Sequence, residues 1–147
     1  MQNIIFEYVD FNSEKFKLAS NLRYNVLFAP FHNIEKYHAD ELDKISYHLV
    51  AICDGKVIGY SRLTEVNGKG KISNVAVDSN YLNRGIGHEM LRQHFKKAKS
   101  HNIQCVYLDS RVTVIPFYEK IGFESKGSVF VSDKSGIELQ RMVKILE

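Results

Sequence analysis

The 147-residue chain predicts one α/β domain of the α+β kind, spanning 1–147, with a mixed, mainly antiparallel central sheet flanked by helices. Two Asx-Gly pairs, Asp54-Gly55 and Asn67-Gly68, separate strand-like runs. Such pairs favour two-residue hairpin turns, because both central positions need positive φ. After the hairpins, GIGHEMLRQHFKKAKS (85–100) sets Ile86, Met90, Leu91, Phe95 and Ala98 along one side of a helix. A strand, a short helix and two more strands follow it.

Taken in order, NIIFEYV (3–9) is a first strand. A helical pattern runs from Asn12 to about Phe28, with Phe16, Leu18, Ala19, Leu22, Val26 and Leu27 as its apolar face, and Pro30 closes it. FAPFHNIEKYHADELDK (28–44) has weak periodicity and reads as a loop with at most one short helix. SYHLVAIC (46–53), KVIGYSRLTEV (56–66) and KISNVAV (71–77) make a three-stranded meander. Lys96, Lys97 and Lys99 end the long helix, where cations suit the carbonyl end of its dipole. IQCVYLDS (103–110) is a buried strand, and Thr113 is a candidate cap for the helix VIPFYEKI, which tolerates Pro116 in its first turn and ends at Gly122. GFESKGSVFVS and GIELQRMVKIL supply the last two strands.

Composition narrows the class. No apolar run approaches the eighteen or so residues a membrane span needs, and MQNIIFEYVDF lacks the basic start and long apolar core of a signal peptide. The expectation is a cytoplasmic protein with no membrane partner. Cys53 and Cys105, without CxxC spacing, read as buried thiols rather than a disulfide or zinc site. The histidines of HEMLRQH lie six apart, not the four that place both on one helical face, so no metal is expected. A net charge of +3 is too mild for nucleic acid, though it suits a small polyanion.

LNRGIGHEML (82–91) carries the sharpest signal. Two glycines open a helix, the position where main-chain amides are still unbonded and attract anions. The amides of Asn83, Arg84, Gly85, Ile86, Gly87 and His88 are therefore candidates for holding phosphate, with the Arg84 side chain adding charge. The competing reading is a tight strand-to-helix connection that the glycines merely relieve. A dinucleotide fingerprint would want a third glycine where Met90 stands, and NGKGKIS (67–73) is followed by a strand rather than a helix.

Three stretches together resemble the GNAT superfamily of acetyl-CoA-dependent N-acetyltransferases: HLVAICDGKVIGYSRL, ISNVAVDSNYLNRGIGHEML and VYLDSRVTVIPFYEKIGFE, whose FYEKIGF matches the family's ending. Order and spacing agree over roughly residues 45 to 130. The resemblance implies that the backbone of Val75, Ala76 and Val77 binds the pantetheine arm of acetyl-CoA like an added strand. It implies that the Val75 amide holds the thioester oxygen, and that the amides of Asn83 to His88 bind the pyrophosphate. Tyr118 matches the tyrosine that protonates the departing thiolate. Arg111 stands where the family often has Asn, beside the cofactor's arm; Val114 replaces a frequent Ala, and Leu82 a frequent Gln or Arg.

An amine attacks a thioester only when neutral, and at neutral pH roughly one alkylamine in a thousand is. A base, direct or through water, or a desolvating pocket must supply that form. Many members place a carboxylate where Ser73 and Asn74 stand, so Glu65 and His48 are the candidate replacements. EKYHADELDKISYH (35–48) is read as a solvated loop, with an acceptor pocket for a cationic amine as the alternative. The expected activity is transfer of an acetyl group to a primary amine in a ternary complex, the amine being a small molecule or a peptide. A non-catalytic acyl-CoA sensor or interaction module is the rival. Many members of the family pair, which leaves a homodimer open.

Overall fold

Both Asx-Gly turns form as the sequence predicts. Asp54 and Asn67 take φ of 51° and 52°, followed by Gly55 and Gly68 at 76° and 80°. They join β2 (Tyr47–Cys53) to β3 (Lys56–Val66), and β3 to β4 (Lys69–Val77). β1 (Ile4–Val9) pairs antiparallel with β2 along its whole length. The coordinates are a computed structural model that describes residues 3–28, 41–133 and 135–147. Most of the loop expected over 28–44 lies outside the described residues.

α1 (Glu14–Arg23) is capped by Ser13, whose Oγ accepts from the Phe16 amide at 3.1 Å, and it runs into a π-turn over Tyr24–Phe28. Its buried face is Phe16, Ala19, Ser20 and Arg23; Leu18, expected on that face, is half exposed because it lies on the opposite side of the helix. α2 (Ile86–Ser100) buries Ile86, Met90, Leu91 and Ala98 as expected, together with His94. β5 (Cys105–Arg111) leads through a 3-10 turn (Val112–Val114) to α3 (Ile115–Glu119). Thr113 does not cap α3, because it is part of that turn and Val114 is the capping position.

The penultimate strand is broken into β6 (Glu124–Ser125) and β7 (Phe130–Val131), both paired with β8 (Glu138–Ile145). Gly127 turns left-handed between them, and Gln140 Nε2 donates to the carbonyls of Lys126 and Gly127 at 3.2 and 3.1 Å where the ladder is interrupted. The sheet order is β1-β2-β3-β4-β5-β8-β6, with β7 also on β8, and every pairing is antiparallel except β4 with β5. α1 covers one face through Phe16, Ala19, Val50, Val57 and Tyr60. α2 and α3 cover the other, where Leu63, Ile72, Leu91, Val106, Tyr118 and Met142 close the core.

Candidate active site

The parallel junction fixes the site. β4 and β5 are paired only at Gly70 with Val106 and Lys71 with Tyr107. Beyond Lys71 the two strands are no longer partners, so among the described residues the side of β4 turned towards β5 has no neighbouring strand over Val75, Ala76 and Val77. The opposite side stays bonded to β3, with Tyr60 opposite Ala76 and Gly59 opposite Val77. Between Arg62/Ser73 and Tyr60/Ala76 the register shifts, and Asn74 sits in this bulge with φ of 58°.

The chain then passes through a 3-10 turn (Ser79–Tyr81) to the glycine pair. The first helical bond of α2 runs from the Glu89 amide to the Gly85 carbonyl at 3.0 Å, so the amides of Ile86, Gly87 and His88 precede the helical ladder. Among the described residues no side chain caps them. Gly85 takes φ of 76°, and a Cβ there would meet nothing within 4 Å. Its role is the left-handed turn that aims the amides outwards into open space. Gly87 has a different reason: a Cβ would lie 3.1 Å from Phe117 Cζ, so this glycine lets α3 pack against α2. Asn83 is also left-handed, and the Arg84 guanidinium lies 5.0 Å from the centre of the Tyr81 ring. Amides at a helix start, with open space in front, fit a diphosphate, and the free side of β4 fits a pantetheine arm.

Tyr118, on α3, is 8% exposed and packs edge-on to Phe117 and Phe123. Burial raises its phenol to about 12, against the downward pull of the Arg111 charge. Arg111 ends β5, and its Nη2 donates to the Leu27 carbonyl at 3.1 Å, reaching from β5 to the π-turn after α1. It therefore contacts the α1 end as well as standing close to Tyr118.

The two candidate bases are not brought beside this junction. Glu65 is exposed at the β3–β4 hairpin opposite Gly70, about 16 Å along β4 from Val75 at about 3.3 Å per residue. His48 is 1% exposed, on β2, with Nε2 2.7 Å from the Asp43 carbonyl and Nδ1 2.7 Å from the Tyr60 hydroxyl. A carbonyl only accepts, so Nε2 carries the proton and Nδ1 accepts from Tyr60. Burial lowers its pKa first, opposed by the Asp43 backbone bond and charge. Both ring nitrogens are committed.

Sequence reasoning missed a buried charge cluster under the α1 face. Arg23 grips the Asp43 carboxylate with both terminal nitrogens at 3.0 and 3.1 Å, and Arg62 Nη1 reaches the same carboxylate at 2.8 Å. Asp43 is fully buried, so this part of the stretch 35–48 is not the solvated loop expected; residues 35–40 lie outside the described ones. The Arg23 guanidinium lies 5.8 Å from the ring centre of Phe16, which the sequence showed only as an apolar position, and 5.5 Å from that of Tyr60. Among the described residues no group of three His, Cys, Asp or Glu side chains could hold a metal, and no helix is long and apolar enough to cross a membrane.

Comparison with known proteins bears on the fold and the family. The chain is similar in fold to an acyl-CoA N-acyltransferase from Pseudomonas aeruginosa, at 21% identity and TM-score 0.80 over 98% of this chain and 99% of that one. It is similar to a GNAT family acetyltransferase from Elizabethkingia anophelis with acetyl-CoA bound, at 18% identity and TM-score 0.77 over 98% and 99%. An aminoglycoside 6'-N-acetyltransferase complexed with coenzyme A matches at 16% identity and TM-score 0.77, over 97% of each chain. The sequence model of the acetyltransferase (GNAT) family matches residues 13–123, most of the chain. The chain therefore belongs to the GNAT acetyltransferase family.

Proposed function

We propose that this protein transfers an acetyl group from acetyl-CoA to a primary amine by direct attack in a ternary complex. The observation that supports it most is the union of two features at one end of the sheet. Among the described residues β4 has a side without a strand partner beyond Lys71, and it leads to helix amides aimed into open space. The Ile86, Gly87 and His88 amides, with Arg84 beside them, would hold the pyrophosphate. The backbone of Val75 to Val77 would align the pantetheine arm. Acetyl-CoA supplies an activated acetyl thioester at the end of that arm.

The chain's own residues then do three things. The Val75 amide donates to the carbonyl oxygen as negative charge grows there, a role that is strong when the donor is fixed in advance. Tyr118 offers its proton towards the leaving sulfur from the far side of the junction. Arg111 holds positive charge near that phenol and opposes the effect of burial. Glu65 and His48 are left out of the base role, one for its distance along β4 and the other because both ring nitrogens are bonded. The neutral amine attacks the thioester carbon, the carbon–sulfur bond breaks, coenzyme A leaves as the thiolate hydrogen-bonded by Tyr118, and the surplus proton on nitrogen passes to water.

Calorimetry with coenzyme A and thiol release with a panel of primary amines test the reading. Heat of binding and amine-dependent thiol release are the expected results; absence of both would overturn it. The placement of Glu65 and His48 favours a second reading, a sensor that binds acyl-CoA without chemistry. Binding without thiol release above background would select that reading.

A further inference from the structure

Resting on the acetyltransferase reading, we infer that the bulge of β4 is a donor subsite for the acceptor, where the Asn74 carboxamide and the Ser73 hydroxyl bind an oxygen carried next to the reacting amine. Among the described residues, Asn74 Nδ2 is the one buried side-chain nitrogen or oxygen without a hydrogen-bond partner. A buried donor left unpaired is costly, and such a group calls for a physical reason. Asn74 also holds a left-handed backbone, which asparagine tolerates better than other side chains except glycine. Two departures from ordinary structure thus coincide on one residue. They fall directly before Val75, at the place where β4 parts from β5.

Ser73 adds a second donor. Its Oγ accepts from Arg62 Nε at 3.0 Å, which leaves its own proton to give elsewhere. Arg62 joins Arg23 of α1 on the Asp43 carboxylate, so Ser73 faces the α1 side of the sheet. Val75 packs instead with Met90 and Ile86 on the α2 side, where the helix amides would bring in the cofactor. The α1 side is the one left for the acceptor. Ser73 lies on that side and Asn74 follows it in the bulge, and both offer protons rather than a basic lone pair.

An oxygen of the acceptor meets that chemistry: the carbonyl of an amino-acid amide or a peptide N-terminus, one carbon from the amine. Asn74 Nδ2 is closed off from solvent, so the carboxamide turns about its side-chain torsions to reach this oxygen. The unpaired donor favours the turn. A plain alkylamine gives the bulge nothing to bind.

The test compares glycinamide with n-propylamine in the wild type, Asn74→Gly and Asn74→Asp. Glycine removes the donor without backbone strain, and aspartate keeps the shape but replaces the donor with an acceptor. Both variants should lower kcat/KM for glycinamide about tenfold relative to n-propylamine, since the ratio cancels the difference in amine basicity. Calorimetric affinity for N-acetylglycinamide should fall by a similar factor, while affinity for coenzyme A stays within twofold. A parallel fall for both amines, no change for either, or a wild type that accepts only n-propylamine overturns the inference. Wild-type protein that binds no coenzyme A and releases no thiol with either amine would instead overturn the acetyltransferase reading itself.

Discussion

Replacing Tyr118 by Phe removes one hydroxyl and keeps the ring. Its edge contacts to Phe117 and Phe123, at centroid distances of 5.0 and 5.8 Å, persist, so the fold should be retained. The phenol sits at about 12 because it is buried. A free thiol titrates near 8.5, so moving the proton outright to a thiolate is uphill by about 3.5 units, or about 5 kcal/mol. Tyr118 should therefore keep its proton and act as a hydrogen-bond donor to the developing negative sulfur. A hydrogen bond to a charged group is worth about 1.5–3 kcal/mol. That converts to a fall in kcat of about 10- to 150-fold in Tyr118→Phe. Thiol release under saturating acetyl-CoA measures it, with calorimetric affinity for coenzyme A expected within twofold. Unchanged kcat refutes any role for the hydroxyl, and a fall well beyond a thousandfold refutes the argument that the proton stays on oxygen.

Gly85→Asp should abolish coenzyme A binding in folded protein, because a carboxylate would stand in the open space before the Ile86 to His88 amides; calorimetry reads this directly. Gly87→Val should lower the melting temperature by several degrees, since its Cβ alone would lie 3.1 Å from Phe117 Cζ and its γ-methyls would have to displace that ring, and differential scanning calorimetry checks it. Asp43→Ala should cost about 3–5 kcal/mol in urea unfolding, because it leaves Arg23 and Arg62 without the carboxylate they share. His94, wholly buried between Tyr8 and Ser61, is lowered by burial to about 3. Its folded pKa lies below the unfolded value near 6.5, so its contribution is intact above pH 6.5 and is lost as pH falls towards 3. Moving from pH 7.5 to 5.0 should remove about 2 kcal/mol, visible as a drop in urea midpoint. A flat midpoint over that range would count against a neutral buried imidazole.

Local chemistry wrote much of the fold into the sequence. Asp54-Gly55 and Asn67-Gly68 declare their own turns, because the required φ is a property of those residues alone. The apolar stripe of α2 is as plain, since it is set by spacing. Gly85 was legible as a helix opening but Gly87 was not legible as a packing contact, because its partner Phe117 lies thirty residues away in sequence. The Arg23, Asp43 and Arg62 cluster was hidden for the same reason. Each residue looks like surface charge until three distant elements bring the groups together. His94 and Leu18 show the limit of reading apolarity as burial, since the polar side chain is inside and the apolar one half outside. The β4 bulge has a still fainter trace. Asn74 sits in an unremarkable strand pattern, and only the register shift against β3 reveals its backbone.

The seam at Gly70 and Lys71 has a mechanical consequence. Two residue pairs alone stitch β4 to β5, so the sheet behaves like two leaves bound near one corner, with α2 as the spine. Whatever lies along the free margin of β4 would brace the leaves against twisting. A molecule inserted there would thereby be both cargo and splint.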